Sequence, residues 1–324
     1  MTDTHLDTMP EVALAFIADG HRAAIATVIE TWGSAPRPVG AQLAIRDDGT
    51  FQGSVSGGCV EGAVVAEALE VLETGEPRIL EYGVSDEEVF AVGLACGGEI
   101  KILVEPVGIG QGISIENLKS LVTARQSRNP IGVQTNLKTW DRALIGPEAA
   151  TQRFTKDKSG IDENTFTLIQ NPPLRLVVVG AVHIAQALLP MAHIAGYTPY
   201  LIDPRDSFGS QARFPSETIL NEWPDTAVEQ LGLDARTALV TLTHDPKLDT
   251  PALAAALNSD AFYIGALGSS RTHAKRRAQL TDMGFTGPHI DRIHGPVGSN
   301  IGAATPSEIA VSIMAQITQV LRTP

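Results

Sequence analysis

The chain contains two cysteines, Cys59 and Cys96, and each adjoins a Gly-Gly pair. Ser56-Gly57-Gly58-Cys59 leads into a predicted helix beginning near Val60, and Cys96-Gly97-Gly98 leads into a predicted strand. A thiol at a helix start faces unpaired amides and the positive end of the helix dipole. That environment favours thiolate, the form that attacks sulfur or binds a metal. Glycines let a ligand lie against the backbone, and free amides at element starts suit an anion. Cys59 and Cys96 are therefore the candidate catalytic and metal-contacting residues, and Gly57, Gly58, Gly97 and Gly98 are candidate cofactor contacts. Glu61 stands close enough to serve as an acid or base. The competing reading is two inert core thiols, since cysteine is among the most buried residue types; paired glycines are poor core material and argue against it. Neither cysteine has CxxC or Cys/His zinc spacing. Upstream, the rigid turn Ser34-Ala35-Pro36-Arg37-Pro38 presents Arg37, suited to bidentate phosphate binding or to a surface ion pair.

A second group of candidates lies near the other end. Gly180-Ala181-Val182-His183-Ile184-Ala185 follows a short apolar run and resembles a dinucleotide turn, GxGxxG or GxGxxA. Gly180 and Ala185 meet the first and third requirements. Val182 fails the second: a branched side chain there should crowd a pyrophosphate and resist positive φ. That argues against NAD(P) as a tightly held cofactor. Asp203, about 20 residues on, stands where a ribose-binding carboxylate belongs. Gly268, Ser269 and Arg271, at the start of the helix RTHAKRRAQL, suit an anion. The basic cluster there is otherwise a solvated face. His183 at a helix start and His244, in TLTHD at a strand's carboxyl edge, are further ligand candidates.

The elements that must position these residues read as an α/β chain. Residues 1–107 form an α+β domain, with a strand–turn–strand in ATVIETWGSAPRPVGAQLAI, a helix closed by Gly75, and a strand through Ile100, Ile102 and Val104. Residues 108–172 read as an extension and linker: a helix near 115–124, paired strands in IGVQTNL and RALIG, and a polar loop TQRFTKDKSGIDENT. Residues 173–324 alternate strand and helix, as in a Rossmann-like doubly wound parallel sheet. Thr305, Pro306 and Glu308 mark the last helix as a capping box.

A net charge of −13 repels phosphate backbones, which argues against nucleic acid as a partner. No apolar run is long enough to span a bilayer, and the first residues lack a signal-peptide pattern; the expectation is no membrane partner and a cytoplasmic location. A homo-oligomer is the base-rate expectation.

These pieces together resemble the XdhC/CoxI family of maturation factors for xanthine dehydrogenase and aerobic carbon monoxide dehydrogenase. The resemblance rests on GSAPRPVGAQLAI, GSVSGGCVEGAV and ACGGEI in the first domain. In the second it rests on VVVGAVHIAQAL, IDPR, TLTHDPKLD, YIGALGSSRTHAKRR and IHGPVGSNIGAATPSEIA. It implies binding of the molybdenum–molybdopterin cofactor or its dinucleotide form as cargo, and support for adding its sulfido ligand. It also implies delivery to an apo-molybdenum hydroxylase; beside it, the reading of the thiols makes Cys59 and Cys96 candidates either to contact molybdenum or to carry transferable sulfur. The implied partners are that hydroxylase, a cysteine desulfurase and a molybdopterin nucleotidyltransferase. On this reading the chain is a cofactor chaperone with a sulfur-transfer role rather than an enzyme. Relatives typically carry a GxGHVG-like turn, where this chain has Val182. The alternatives are an NAD(P)-dependent oxidoreductase and a non-catalytic nucleotide-binding scaffold.

Overall fold

The computed structural model describes residues 8–33, 37–83 and 98–323. The chain divides into two units, Thr2–Pro172 and Pro173–Pro324.

The first unit opens with helix α1 (Met9–Ala18), followed by strands β1 (Ala23–Trp32), β2 (Gln42–Arg46) and β3 (Phe51–Gly53). Helix α2 (Glu61–Thr74) comes next and ends on Gly75, whose left-handed φ of 74° closes the last turn. Strands β4 (Arg78–Tyr82) and β5 (Glu99–Pro106) complete an antiparallel sheet of order β3-β2-β1-β5-β4. The central strands β1, β2 and β5 are buried on both faces over most of their length, while the edge strand β3 is exposed. Side chains alternate across a strand, so Ala24, Ala26 and Val28 of β1 join Ile100, Ile102 and Val104 of β5 beneath Val64, Ala68 and Val71 of α2. The opposite-facing Ala23, Ile25 and Leu103 pack with Ala13 and Phe16 of α1.

Residues 108–172 do not behave as a linker. They form α3 (Ile115–Gln126), β6 (Ile131–Asn136), β7 (Arg142–Ile145), the short helix α4 (Thr151–Lys156), β8 (Gly160–Asp162) and β9 (Thr165–Gln170). The strands make a second antiparallel sheet, β7-β6-β9-β8. Val133, Phe166 and Leu168 from this sheet share one core with Ile25 and Leu103. The expected pairing of IGVQTNL with RALIG is the β6–β7 ladder. The polar stretch expected to be a loop instead carries α4 and β8, because it has apolar anchors: Phe154 is buried and Ile161 packs against that core.

The second unit is the doubly wound sheet. In chain order it has β10 (Leu174–Val179), α5 (His183–Ile194), β11 (Tyr197–Ile202), β12 (Thr218–Leu220), α6 (Pro224–Leu231) and β13 (Thr237–Thr241). It continues with α7 (Pro246–Leu257), β14 (Tyr263–Ala266), α8 (Ser270–Asp282), α9 (Gly287–Ile290), β15 (Ile293–His294) and α10 (Pro306–Arg322). The strand order is β12-β11-β10-β13-β14-β15, with every pair parallel. β10 is buried throughout: Leu176 and Val178 face α5 and α10, while Val177 and Val179 face α6 and α7. From β10 the sheet grows one way through β11 and β12 and the other way through β13, β14 and β15, and this switch in strand order opens a crevice beyond the carboxyl ends of β10 and β13. The capping box at Thr305 and Glu308 is formed.

Candidate functional site

In the first unit the Ser54–Cys59 loop is knotted around the carboxylate of Glu61. Glu61 Oε1 accepts from Ser54 Oγ at 2.7 Å, from Ser56 N at 2.9 Å and from Val55 N at 3.2 Å. Oε2 accepts from Gly58 N at 2.9 Å and from the Ser56 hydroxyl. Ser56 Oγ in turn accepts the amides of Cys59 at 3.0 Å and Val60 at 2.9 Å, and Ser54 Oγ accepts that of Gly57 at 2.9 Å. Burial pushes the Glu61 carboxyl up, but the hydrogen bonds from Ser56 and Ser54 outweigh it and hold it at about 2. Glu61 is therefore an ionised anchor, which corrects its expected role as acid or base.

The amides expected to be open to a ligand are largely consumed by this knot. What the loop offers outward is Cys59, which is exposed, flanked by exposed Gly57 and Gly58. Both glycines hold positive φ, 78° and 115°, which side-chain-bearing residues rarely adopt. Arg37 belongs to the same neighbourhood: its Nε donates to Ser54 O at 3.2 Å. Cys59, Gly57, Gly58 and Arg37 are thus brought together. Gly98 is buried just before β5. Cys96 and Gly97 lie outside the described residues. Among the described residues no group of three His, Cys, Asp or Glu side chains could hold a metal ion.

In the second unit the glycine turn follows β10 as expected. Gly180 has φ 113°, and a Cβ there would meet Thr243 Cγ2 at 2.7 Å and Thr243 N at 3.2 Å. Only glycine lets β10 and the β13–α7 loop approach so closely. Val182 differs from expectation: it caps α5 with φ −100° and ψ 175°. That is ordinary extended backbone, so the argument that a β-branched residue is strained there does not hold. Its bulk remains, packed against the core of β10, α5 and α10.

Asp203 is fully buried, and each carboxylate oxygen already accepts two hydrogen bonds. Oδ1 takes Arg205 N at 3.0 Å and Arg205 Nε at 2.8 Å; Oδ2 takes Ala181 N at 2.8 Å and Arg205 Nη2 at 2.7 Å. Burial acts to raise this carboxyl, but those bonds outweigh it and keep it below the usual range. The side chain locks the glycine turn, and the group it presents to solvent is Arg205.

The remaining candidates line the same carboxyl edge. His183 is exposed in the first turn of α5. His244 is exposed and held at φ 60°, an uncommon conformation for a non-glycine residue. Gly268 (φ 141°) leads to Ser269, which caps α8 by accepting Thr272 N at 3.2 Å. Arg271 is exposed at the start of that helix, but the basic cluster is not all solvent-facing. Arg277 pairs with Asp291 at 2.6 Å. Arg276 is buried, donating to Leu267 O at 3.1 Å and facing Asp249 at 3.5 Å. Asp249 also accepts from Thr243 Oγ1 at 2.6 Å, so this pair ties the loop after β13 to the loop after β14. Burial raises the Asp249 carboxyl and lowers the Arg276 guanidinium, each more than its partner restores. Sequence reasoning missed Arg205, Arg213, Asp249 and Arg276. All but Arg213 sit in the IDPR, TLTHDPKLD and RTHAKRR stretches, so a signal was present.

Comparison with known proteins adds to this geometry. Residues 16–83 match the XdhC and CoxI family, and residues 176–317 match the XdhC Rossmann domain. A molybdenum cofactor insertion chaperone of Escherichia coli, PaoD, is 30% identical over 320 residues, covering 99% of this chain and 90% of that protein. A probable xanthine dehydrogenase subunit of Bacillus subtilis is 26% identical, covering 94% of this chain and 95% of that one. The crystal structure of a xanthine dehydrogenase from Bacillus halodurans superposes with a TM-score of 0.63 at 25% identity, over 97% of this chain and 96% of that one.

Proposed function

The chain belongs to the XdhC and CoxI family, and from that premise we propose that it is a maturation factor for a molybdenum hydroxylase. It binds the molybdenum–pterin cofactor as cargo, supports addition of its sulfido ligand and delivers it to the apo-enzyme. The observation that carries this reading is the exposed Cys59 thiol, held on a double-glycine loop that Glu61 braces and that Arg37 reaches. A soft sulfur donor suits a soft metal centre or a transferable sulfur. The glycines leave the face beside it clear for a flat ligand, and Arg37 supplies a phosphate partner. Cys96 is proposed as the second thiol of the pair. The sulfur source is a cysteine desulfurase, the cargo a mononucleotide or dinucleotide pterin, and a molybdopterin nucleotidyltransferase is a further proposed partner.

The likeness to the E. coli chaperone, which is matched over nearly its whole length, favours cargo handling over turnover. The test is to purify wild type, Cys59→Ser and Cys96→Ser from a host that makes the cofactor, then measure bound molybdenum, bound pterin and activation of an apo-hydroxylase. Loss of one metal contact is expected to lower occupancy or activation about tenfold or more, with circular dichroism unchanged. Full occupancy and full activation in both variants would show that the thiols only pack.

A further inference from the structure

The edge of the second unit beside its glycine turn carries two arginines whose geometry specifies a ligand. In a Rossmann-type sheet the ribose of a bound nucleotide rests at the end of the second strand, here β11. A free carboxylate there takes the ribose diol, whereas an arginine takes a ribose phosphate. Asp203 occupies the carboxylate position, yet its two oxygens already accept four hydrogen bonds and the side chain is fully buried. An ionised carboxylate offers about four acceptor sites, so none is left for a diol.

Arg205 stands in front of it, its side chain about one-third exposed and its plane over the Phe208 ring at 4.0 Å. Its Nη1 has no partner among the described residues. Arg213 holds the next peptide of the turn: its Nη1 donates to Ala181 O and to Phe208 O, both at 2.8 Å. Its guanidinium lies 5.8 Å from the Phe208 ring centre. Asp203 binds the Ala181 N–H and Arg213 binds the Ala181 carbonyl, so both guanidinium groups are registered on the glycine turn itself. The Phe208 ring lies beside both.

We propose that this turn takes a nucleotide whose ribose carries a phosphate, held by Arg205 and Arg213, in preference to one with a free ribose diol. The proposal is independent of the cargo reading of the thiol loop. It requires no redox turnover: the phosphate monoester is recognised by charge-assisted, planar hydrogen bonds, which arginine makes well. Val182 stands in extended backbone without strain, and its branched side chain is packed against the core of β10, α5 and α10.

NADPH and NADH differ only in the ribose phosphate and are the probes. Titration of the full-length protein, followed by nicotinamide fluorescence and calorimetry, should show NADPH binding about tenfold or more tighter than NADH. Arg213→Gln should bring the two affinities within about threefold of each other, since one charge-assisted contact is lost. Arg205→Ala leaves Asp203 buried without its partner and can unfold the unit. Arg205→Lys, which keeps the charge and loses the fork, is the companion variant and should also narrow the preference. Equal affinities in the wild type, no binding of either nucleotide, or an NADPH preference unchanged in both variants would each overturn the proposal.

Discussion

The hydroxyl of Ser56 donates to the carboxylate of Glu61 while accepting the amide of Cys59, so one buried acid sets where the exposed thiol stands. The catalytic-looking residue of the loop and its structural keystone are different side chains, two positions apart in sequence.

Glu61→Ala should therefore cost stability and loosen the thiol together. The buried amides of Val55 and Ser56 would lose their acceptor, at about 1–3 kcal/mol for buried donors left unpaired, and the amide of the exposed Gly58 would turn to water. The pH dependence has a definite sign. The folded carboxyl lies at about 2, below the ordinary glutamate range. Its contribution is complete above the unfolded value of about 4.3 and is lost as pH falls from there toward 2. Thermal melts of wild type and Glu61→Ala should converge as pH drops from 6 to 3. A constant gap would show that the charge is not what holds the loop.

The buried Asp249–Arg276 pair invites a double-substitution cycle. Arg276→Met alone leaves Asp249 buried without its cation and should destabilise by about 3–5 kcal/mol. Arg276→Met combined with Asp249→Leu should recover at least half of that loss, since two buried charges leave together. Urea denaturation gives all three values. A double variant as unstable as the sum of its singles would mean that the pair is not energetically coupled.

Gly180→Ala should destabilise by about 1–3 kcal/mol through positive φ and the clash with Thr243. Thr243→Ser removes the methyl group it would strike and should return only the steric part of the loss. Full recovery in the double variant would show that the backbone conformation itself costs nothing.

The second unit was legible in outline because buried parallel strands read as short apolar runs: LRLVVV, TALVT and YIGA are each buried from end to end. The two-residue β15 and the three-residue β12 carry too few side chains to show a period. Residues at element starts were placed well, as Thr305, Ser269 and Gly180 show, because caps and turns depend on local chemistry. The partners of Asp203 and Arg276 were not legible. Arg205 is two residues from Asp203, yet nothing in a sequence says that it folds back, and Arg276 meets Asp249 across 27 positions. The expectation of free amides around Cys59 failed for a related reason: the sequence showed the glycines and the acid, but not that the acid claims the amides.

The shared core of the first unit bears on how the chain can be dissected. β1 and β5 cover one face with α2, while the other face depends in part on Val133, Phe166 and Leu168, supplied from beyond residue 107. A fragment ending at 107 would keep every residue of the thiol loop but leave Ile25, Ile29 and Leu103 with only α1 for cover, a partly uncovered apolar surface prone to self-association. The smallest piece in which Cys59 can be studied apart from the doubly wound sheet therefore runs on through Pro172.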